Sequence, residues 1–108
     1  MKDLTQDEWR KKLNEAENPV IIDVRTPKEW EEGIVEDAVL INIMETDHFM
    51  EEVDKMDKDL SYFIYCRSGN RSGQACQYMD SKGFTKTYNL VGGMLEWKGE
   101  LKDYTHEQ

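Results

Sequence analysis

Two apolar runs of strand length, Val20-Ile21-Ile22-Asp23-Val24 and Ser61-Tyr62-Phe63-Ile64-Tyr65, constrain this chain more than any other feature. Neither shows the apolar/polar alternation of a strand with one wet face. Such runs predict strands buried on both faces, as inside a parallel sheet. Parallel neighbours must be joined by crossovers, and the segments between the runs carry helix signals.

The first of these segments opens with Thr5-Gln6-Asp7-Glu8, which has capping-box spacing, and continues with Trp9 and Leu13 on one helical face. Asn18-Pro19 ends that helix. Thr26-Pro27 reads as an N-cap followed by proline at the first helical position, with a short helix through Trp30 ending near Gly33. Ala38 to Ile43 reads as another β-like run. Asp47 to Met56 reads as a polar helix with Phe49, Met50, Val53 and Met56 turned toward the core and His48 on its surface. A helix over 72–82 with Gly83 as its C′ residue, a short strand from Lys86 to Asn89, a turn at Leu90-Val91-Gly92-Gly93 and a helical turn from Met94 to Lys98 complete the reading. Beyond Gly99 the chain is polar, a tail expected to fray, with His106 in it. Strands alternating with helices predict an α/β fold with helices on both faces of a parallel sheet.

Ligands of such sheets bind beyond the carboxyl ends of strands. Cys66-Arg67-Ser68-Gly69-Asn70-Arg71-Ser72 lies at such an end, and Arg25 at another. Backbone N–H groups in a strand-to-helix turn point at a cysteine placed there, and two arginines add full charge; such surroundings lower a thiol pKa. Gly69 and Asn70 tolerate the left-handed backbone that aims successive N–H groups inward as a nest. Ser72 is expected to be the N-cap of the following helix, its hydroxyl also within reach of the sulfur. Arg71 is expected to brace the turn or to bind an oxyanion through its two-pronged guanidinium, and Arg67 to face a substrate. Asp23, a carboxylate in an apolar run, needs a partner, and Arg25 is close by. Cys76, on the helix leaving the loop, reads as a packed residue rather than a second redox partner.

The chain has 108 residues and a net charge of −9, enough for one domain with a real core. The charge is uneven: residues 1–60 hold 8 Lys/Arg against 18 Asp/Glu, residues 61–108 hold 6 against 5. An acidic balance argues against nucleic acid and anionic membrane surfaces as partners. No basic-plus-apolar leader, 18-residue apolar run or zinc-type Cys/His spacing is found, so the expectation is a cytoplasmic protein with no metal or other cofactor.

The seven-residue loop resembles the active-site loop of rhodanese sulfurtransferases. Ile22-Asp23-Val24-Arg25 followed by Pro27, Glu29, Trp30 and Gly33 is similar to that family's first conserved block, and Leu90-Val91-Gly92-Gly93-Met94-Leu95-Glu96-Trp97 to its last. The resemblance spans residues 4–100 and leaves 101–108 as the polar tail. It departs after Gly33, where the family usually has His-Ile-x-Gly-Ala: the histidine is absent and Asp37 replaces the glycine.

The resemblance implies a single-domain, three-layer rhodanese-like fold with about five parallel strands. It implies that Cys66 takes a sulfane sulfur from a small anionic donor such as thiosulfate and passes it to cyanide, a thiol or a protein acceptor. Arg67, Ser68, Gly69, Asn70, Arg71 and Ser72 would bind the donor, with Asp23 and Arg25 in structural support. One alternative is a persulfide carrier or binding module with little small-molecule turnover. Another is a cysteine phosphatase or arsenate reductase, whose loops place five residues between cysteine and arginine; here four intervene.

Overall fold

The computed structural model describes residues 1–104. The elements in chain order are β1 (Lys2–Leu4), α1 (Gln6–Glu15), β2 (Val20–Asp23), α2 (Pro27–Trp30), β3 (Val39–Leu40), α3 (Thr46–Asp54), β4 (Tyr62–Tyr65), α4 (Asn70–Ser81) and β5 (Thr87–Leu90), followed by a 3-10 turn at Gly93–Glu96. The five strands form one all-parallel sheet in the order β1-β5-β4-β2-β3. The two apolar runs are neighbours in it, with Ile22 beside Ile64 and Asp23 beside Tyr65.

Successive strand residues point to opposite faces, and the core divides accordingly. Ile22, Tyr62, Ile64 and Cys66 join Phe49, Val53, Ala75, Cys76 and Met79 on the face covered by α3 and α4. Ile21, Phe63, Tyr65 and Leu90 join Trp9 on the face covered by α1. Trp9 packs edge-on against Phe63, Tyr65 and Trp97, with centroids 5.8, 6.3 and 5.9 Å away. Both faces of the sheet are thus covered, which is what the unbroken apolar runs require.

The helix starts follow the sequence where caps are local. Thr5 and Thr26 each form a complete capping box, with Glu8 and Glu29. Gly83 turns the chain after α4 at φ +100°, donating its N–H to the Asp80 carbonyl. Asp37 stands at φ +69°, so this turn keeps the left-handed backbone angle that glycine adopts most easily, here in an aspartate.

Other expectations are corrected. Ser72 is not an N-cap: α4 begins at Asn70, capped by Gly69 at φ +102°, and Ser72 lies within the first turn. The run from Ala38 to Ile43 is a strand only at Val39–Leu40, although the Ile41 and Ile43 N–H groups still bond to the Asp23 and Val24 carbonyls. Met50 is 36% exposed, whereas its neighbours Phe49 and Val53 are buried. β1 carries no apolar run to announce it; it is an edge strand that pairs through Lys2, Asp3 and Leu4 with β5. The start of the polar tail is docked. Lys102 forms an antiparallel bridge with Ile34, and Tyr104 packs on Trp30 at 5.6 Å. The rest of that tail, His106 included, lies outside the described residues. Among the described residues no helix is long and apolar enough to cross a membrane.

Candidate active site

Cys66 is the first residue after β4, where the strand stops and the chain must turn into α4. The first N–H groups of a helix have no partner within it. In α4 the Gly69 carbonyl takes its first helical bond from Gly73, 3.1 Å away, and the earlier N–H groups are left over. Two of them reach the sulfur. The Gly69 N–H donates to Cys66 Sγ at 3.1 Å and the Ser72 N–H at 3.4 Å; the Ser72 hydroxyl oxygen lies 3.3 Å from it. Gly69 turns the chain by its positive φ, and it has little room for a side chain: a Cβ there would press on the Leu90 carbonyl oxygen at 3.2 Å.

Cys66 is 0% exposed, so burial works to raise its pKa. The Ser72 hydroxyl and the N–H groups of Ser72, Gly69 and Ser68 favour the anion and outweigh burial, leaving the thiol below its ordinary value. Cys76 is equally buried; there burial, with the Asp80 charge nearby, outweighs the Thr87 hydroxyl and pushes its thiol up to about 12. Both cysteines are free.

The two loop arginines part company. Arg71 turns to α2, where Nη1 and Nη2 each reach one Glu29 carboxylate oxygen at 2.8 Å. Glu29 is therefore held at about 2, mainly by these hydrogen bonds, with Thr26 contributing through the capping box. Arg67 is exposed, and no carboxylate pairs with it among the described residues. The carboxylate that Arg71 meets stands 42 residues away in the chain.

Asp23 and Arg25 are both buried and pair directly. Arg25 Nε lies 3.0 Å from Asp23 Oδ1 and its Nη2 2.8 Å from Oδ2, while Nη2 also donates to the Gly33 carbonyl at 2.7 Å. The pair ties the end of β2 to the turn after α2 and sits beside Tyr65, whose ring lies under the guanidinium at 5.6 Å.

The turn after β5 closes over the loop. Gly93, at φ +52°, passes so near that a Cβ would lie 2.5 Å from both the Cys66 and the Arg67 carbonyl oxygens. The Met94 and Leu95 N–H groups donate to those two carbonyls at 3.0 Å each. Three side chains were given no role by sequence reasoning: Glu29, Asn89 and Asp3. Asn89 is a polar residue in a buried strand position, the one signal that marked it; its contacts with Ser72 and Asp3 join residues 17 and 86 apart.

An open cleft of about 360 Å³ adjoins the loop, lined by Ser68, Gly69, Asn70, Gly73, Gln74 and Asn89 among others. A larger one, about 540 Å³, lies between α1 and Trp97 and includes no loop residue. Among the described residues no group of three His, Cys, Asp or Glu side chains is placed to hold a metal ion.

The model of the rhodanese-like domain matches residues 5–100. A Bacillus subtilis protein named "Putative sulfurtransferase YtwF" is 38% identical over 102 residues, covering 94% of this chain and 95% of that protein. A sulfurtransferase of Allochromatium vinosum is 38% identical over 86 residues, covering 80% of this chain and 78% of that one. Among solved structures, a rhodanese-like domain protein of Staphylococcus aureus superposes with a TM-score of 0.82 at 33% identity, over 97% of this chain and all of that one. With this match over nearly its whole length, a five-stranded parallel sheet and a cysteine turn closed by its last conserved block, the chain belongs to the rhodanese-like domain family.

Proposed function

We propose that the protein is a sulfurtransferase that carries a sulfane sulfur on Cys66. The observation that carries this reading is the convergence of the Gly69 N–H, the Ser72 N–H and the Ser72 hydroxyl on one buried sulfur. These donors favour a thiolate and are equally suited to the anionic sulfur of a persulfide. The names of the two relatives lend the reading support.

With thiosulfate as donor, the Cys66 thiolate attacks the terminal sulfane sulfur. An S–S bond forms to Cys66, the S–S bond of thiosulfate breaks, and sulfite leaves with the electron pair. An acceptor thiolate, or cyanide, then attacks the outer sulfur and the Cys66 thiolate departs, which is a ping-pong cycle. Arg67, exposed and paired with no carboxylate among the described residues, supplies charge for the incoming anion. Arg71 shares its charge with Glu29 and holds the loop. Because Cys66 is fully covered, the residues over its sulfur must move aside for the donor to reach it. The reducing cytoplasm is the compartment that keeps both thiols free for this cycle.

The test is intact-mass analysis after incubation with thiosulfate. The expected result is a gain of one sulfur atom, located on Cys66, removed by cyanide and absent from Cys66→Ser. Turnover of an aryl phosphate with no sulfur adduct would overturn the reading in favour of a phosphatase. Comparing transfer to cyanide with transfer to a protein thiol separates an enzyme acting on small molecules from a persulfide carrier.

A further inference from the structure

The Ser72 hydroxyl has one hydrogen and two acceptors. Its oxygen is 3.3 Å from Cys66 Sγ and 2.5 Å from Asn89 Oδ1. Ser72 is 0% exposed and Asn89 5%, so bulk water does not settle the contest. The Asn89 amide cannot turn over to relieve it. Its Nδ2 donates to Asp3 Oδ1 at 2.9 Å and to the Gly69 carbonyl at 3.2 Å, two groups that only accept. A flipped amide would face both with an oxygen. Asn89 therefore always presents an acceptor to Ser72.

We propose that Asn89, anchored by Asp3, is a positioning residue that holds the Ser72 hydrogen away from Cys66 and so tempers the thiolate. The inference rests on reading Cys66 as the nucleophile. With the sulfur neutral, the Ser72 hydrogen points to Asn89, and an oxygen lone pair is left to accept from the thiol S–H. With the sulfur anionic, the hydroxyl rotates and donates to it, giving up the Asn89 bond. No covalent bond forms or breaks; each state of the sulfur has a matching rotor position. The Asn89 acceptor thus works against the anion, opposite in sense to the nest of N–H groups. A tempered thiolate is the more useful one, because intrinsic nucleophilicity falls as thiol pKa falls.

The test reads the pH dependence of iodoacetamide alkylation at Cys66, located by peptide mass, in the full chain. Ser72→Ala removes a donor and is expected to move the profile to higher pH. Asn89→Leu removes the competing acceptor and is expected to move it to lower pH, with roughly a threefold gain in rate on the rising limb, the size of about half a hydrogen bond's net worth. The Gly69 carbonyl keeps its bond from the Gly73 N–H in that variant, so no backbone group is orphaned. In the Ser72→Ala background Asn89→Leu is expected to move nothing. The charged groups around the thiol are Arg67 in the loop, Arg71 on α4, Glu29 on α2, Asp23 and Arg25 at the end of β2 and Asp3 on β1. None is changed in these variants, so their influence cancels in the comparison.

A shift to higher pH in Asn89→Leu, no shift at all, or an equal shift with and without the Ser72 hydroxyl, would overturn the proposal and leave Asn89 a support for the loop. Should Asn89→Leu fail to fold, the smaller Asn89→Ala takes its place in the same two backgrounds. It deletes the same acceptor and changes no charge, and only the part of its shift that vanishes in Ser72→Ala counts for the proposal; if none vanishes, the proposal falls. Alkylation reports the thiol whether or not thiosulfate is a substrate, so failure here and failure of the sulfur-transfer reading are separate results.

Discussion

Gly93→Ala is expected to damage the stability of the fold and the reactivity of Cys66 together. Alanine at φ +52° costs about 1–2 kcal/mol for the left-handed backbone alone. Its Cβ would also lie 2.5 Å from two carbonyl oxygens of the cysteine loop, and backbone cannot swing aside as a side-chain tip does. Separating the turn from the loop loses the bonds from Met94 and Leu95, each worth about 0.5–1.5 kcal/mol. The total is roughly 2–5 kcal/mol, out of about 5–15 expected for a chain this size. Gly92→Ala is the matched control. It also has a positive φ, +82°, but the atoms nearest its Cβ belong to the movable carboxylate of Glu96. Urea unfolding should place the Gly93→Ala midpoint about 1 M or more below wild type, with Gly92→Ala in between. Alkylation of Cys66 in the folded protein should change in Gly93→Ala and not in Gly92→Ala. Equal destabilisation by the two substitutions, with Cys66 reactivity untouched by either, would refute the argument that this turn clamps the loop.

Three further outcomes follow from the pairs and thiols described above. Asp23→Ala leaves the Arg25 guanidinium buried without its carboxylate and should cost about 3–5 kcal/mol in denaturant unfolding, while Asp23→Leu with Arg25→Met should recover more than half of it; equal losses in the two would contradict this. Glu29 is held at about 2, below its value in the unfolded chain, so ionised Glu29 favours the folded state; that contribution is full above about pH 4.5 and is lost as pH falls toward 2. Glu29→Gln should therefore lower stability by about 1–2 kcal/mol at neutral pH and flatten the acid limb in that window, and stability curves that stay parallel to wild type would refute it. In Cys66→Ser protein, Cys76 should resist iodoacetamide at pH 8 until denaturant is added, since burial holds its thiol near 12; rapid labelling of native protein would show that α4 opens.

What could be read from the sequence is what is decided within a few residues. The Thr5/Glu8 capping box, the Thr26-Pro27 helix start, the Gly83 turn and the apolar strands β2 and β4 each follow from neighbours in the chain. The cysteine turn was legible for the same reason. Ser72 was misplaced because serine is a strong N-cap, whereas here Gly69 makes the turn by its backbone and serves as the cap itself. The reach of its hydroxyl to the sulfur is legible all the same; placed in the first turn, Ser72 aims its N–H at the sulfur as well. The Arg71 partner of Glu29 and the contacts of Asn89 and Asp3 could not be assigned in advance, because they are set by how the strands and helices assemble and not by spacing. β1 and the docked start of the tail were missed for a related reason. Each is held chiefly by backbone bonds to a distant segment, and polar sequence carries no trace of those.

The division of labour between the two arginines bears on what the loop can recognise. A free guanidinium beside the thiol would draw in any anion and over-stabilise the thiolate. Here Arg71 is already matched by Glu29, through two bonds of 2.8 Å, so its charge is largely spent on holding α2 to the loop. The sulfur is instead surrounded by neutral donors, whose directions are fixed by the Gly69 turn. Fixed neutral donors reward an atom that carries charge at one position, as a thiolate or persulfide sulfur does. On the proposed function the donor anion is left to Arg67 outside the ring, and on that reading Arg67→Ala should raise KM for thiosulfate far more than it lowers kcat. A fall in kcat with KM unchanged would place Arg67 with the sulfur instead, and would overturn this separation of binding from chemistry.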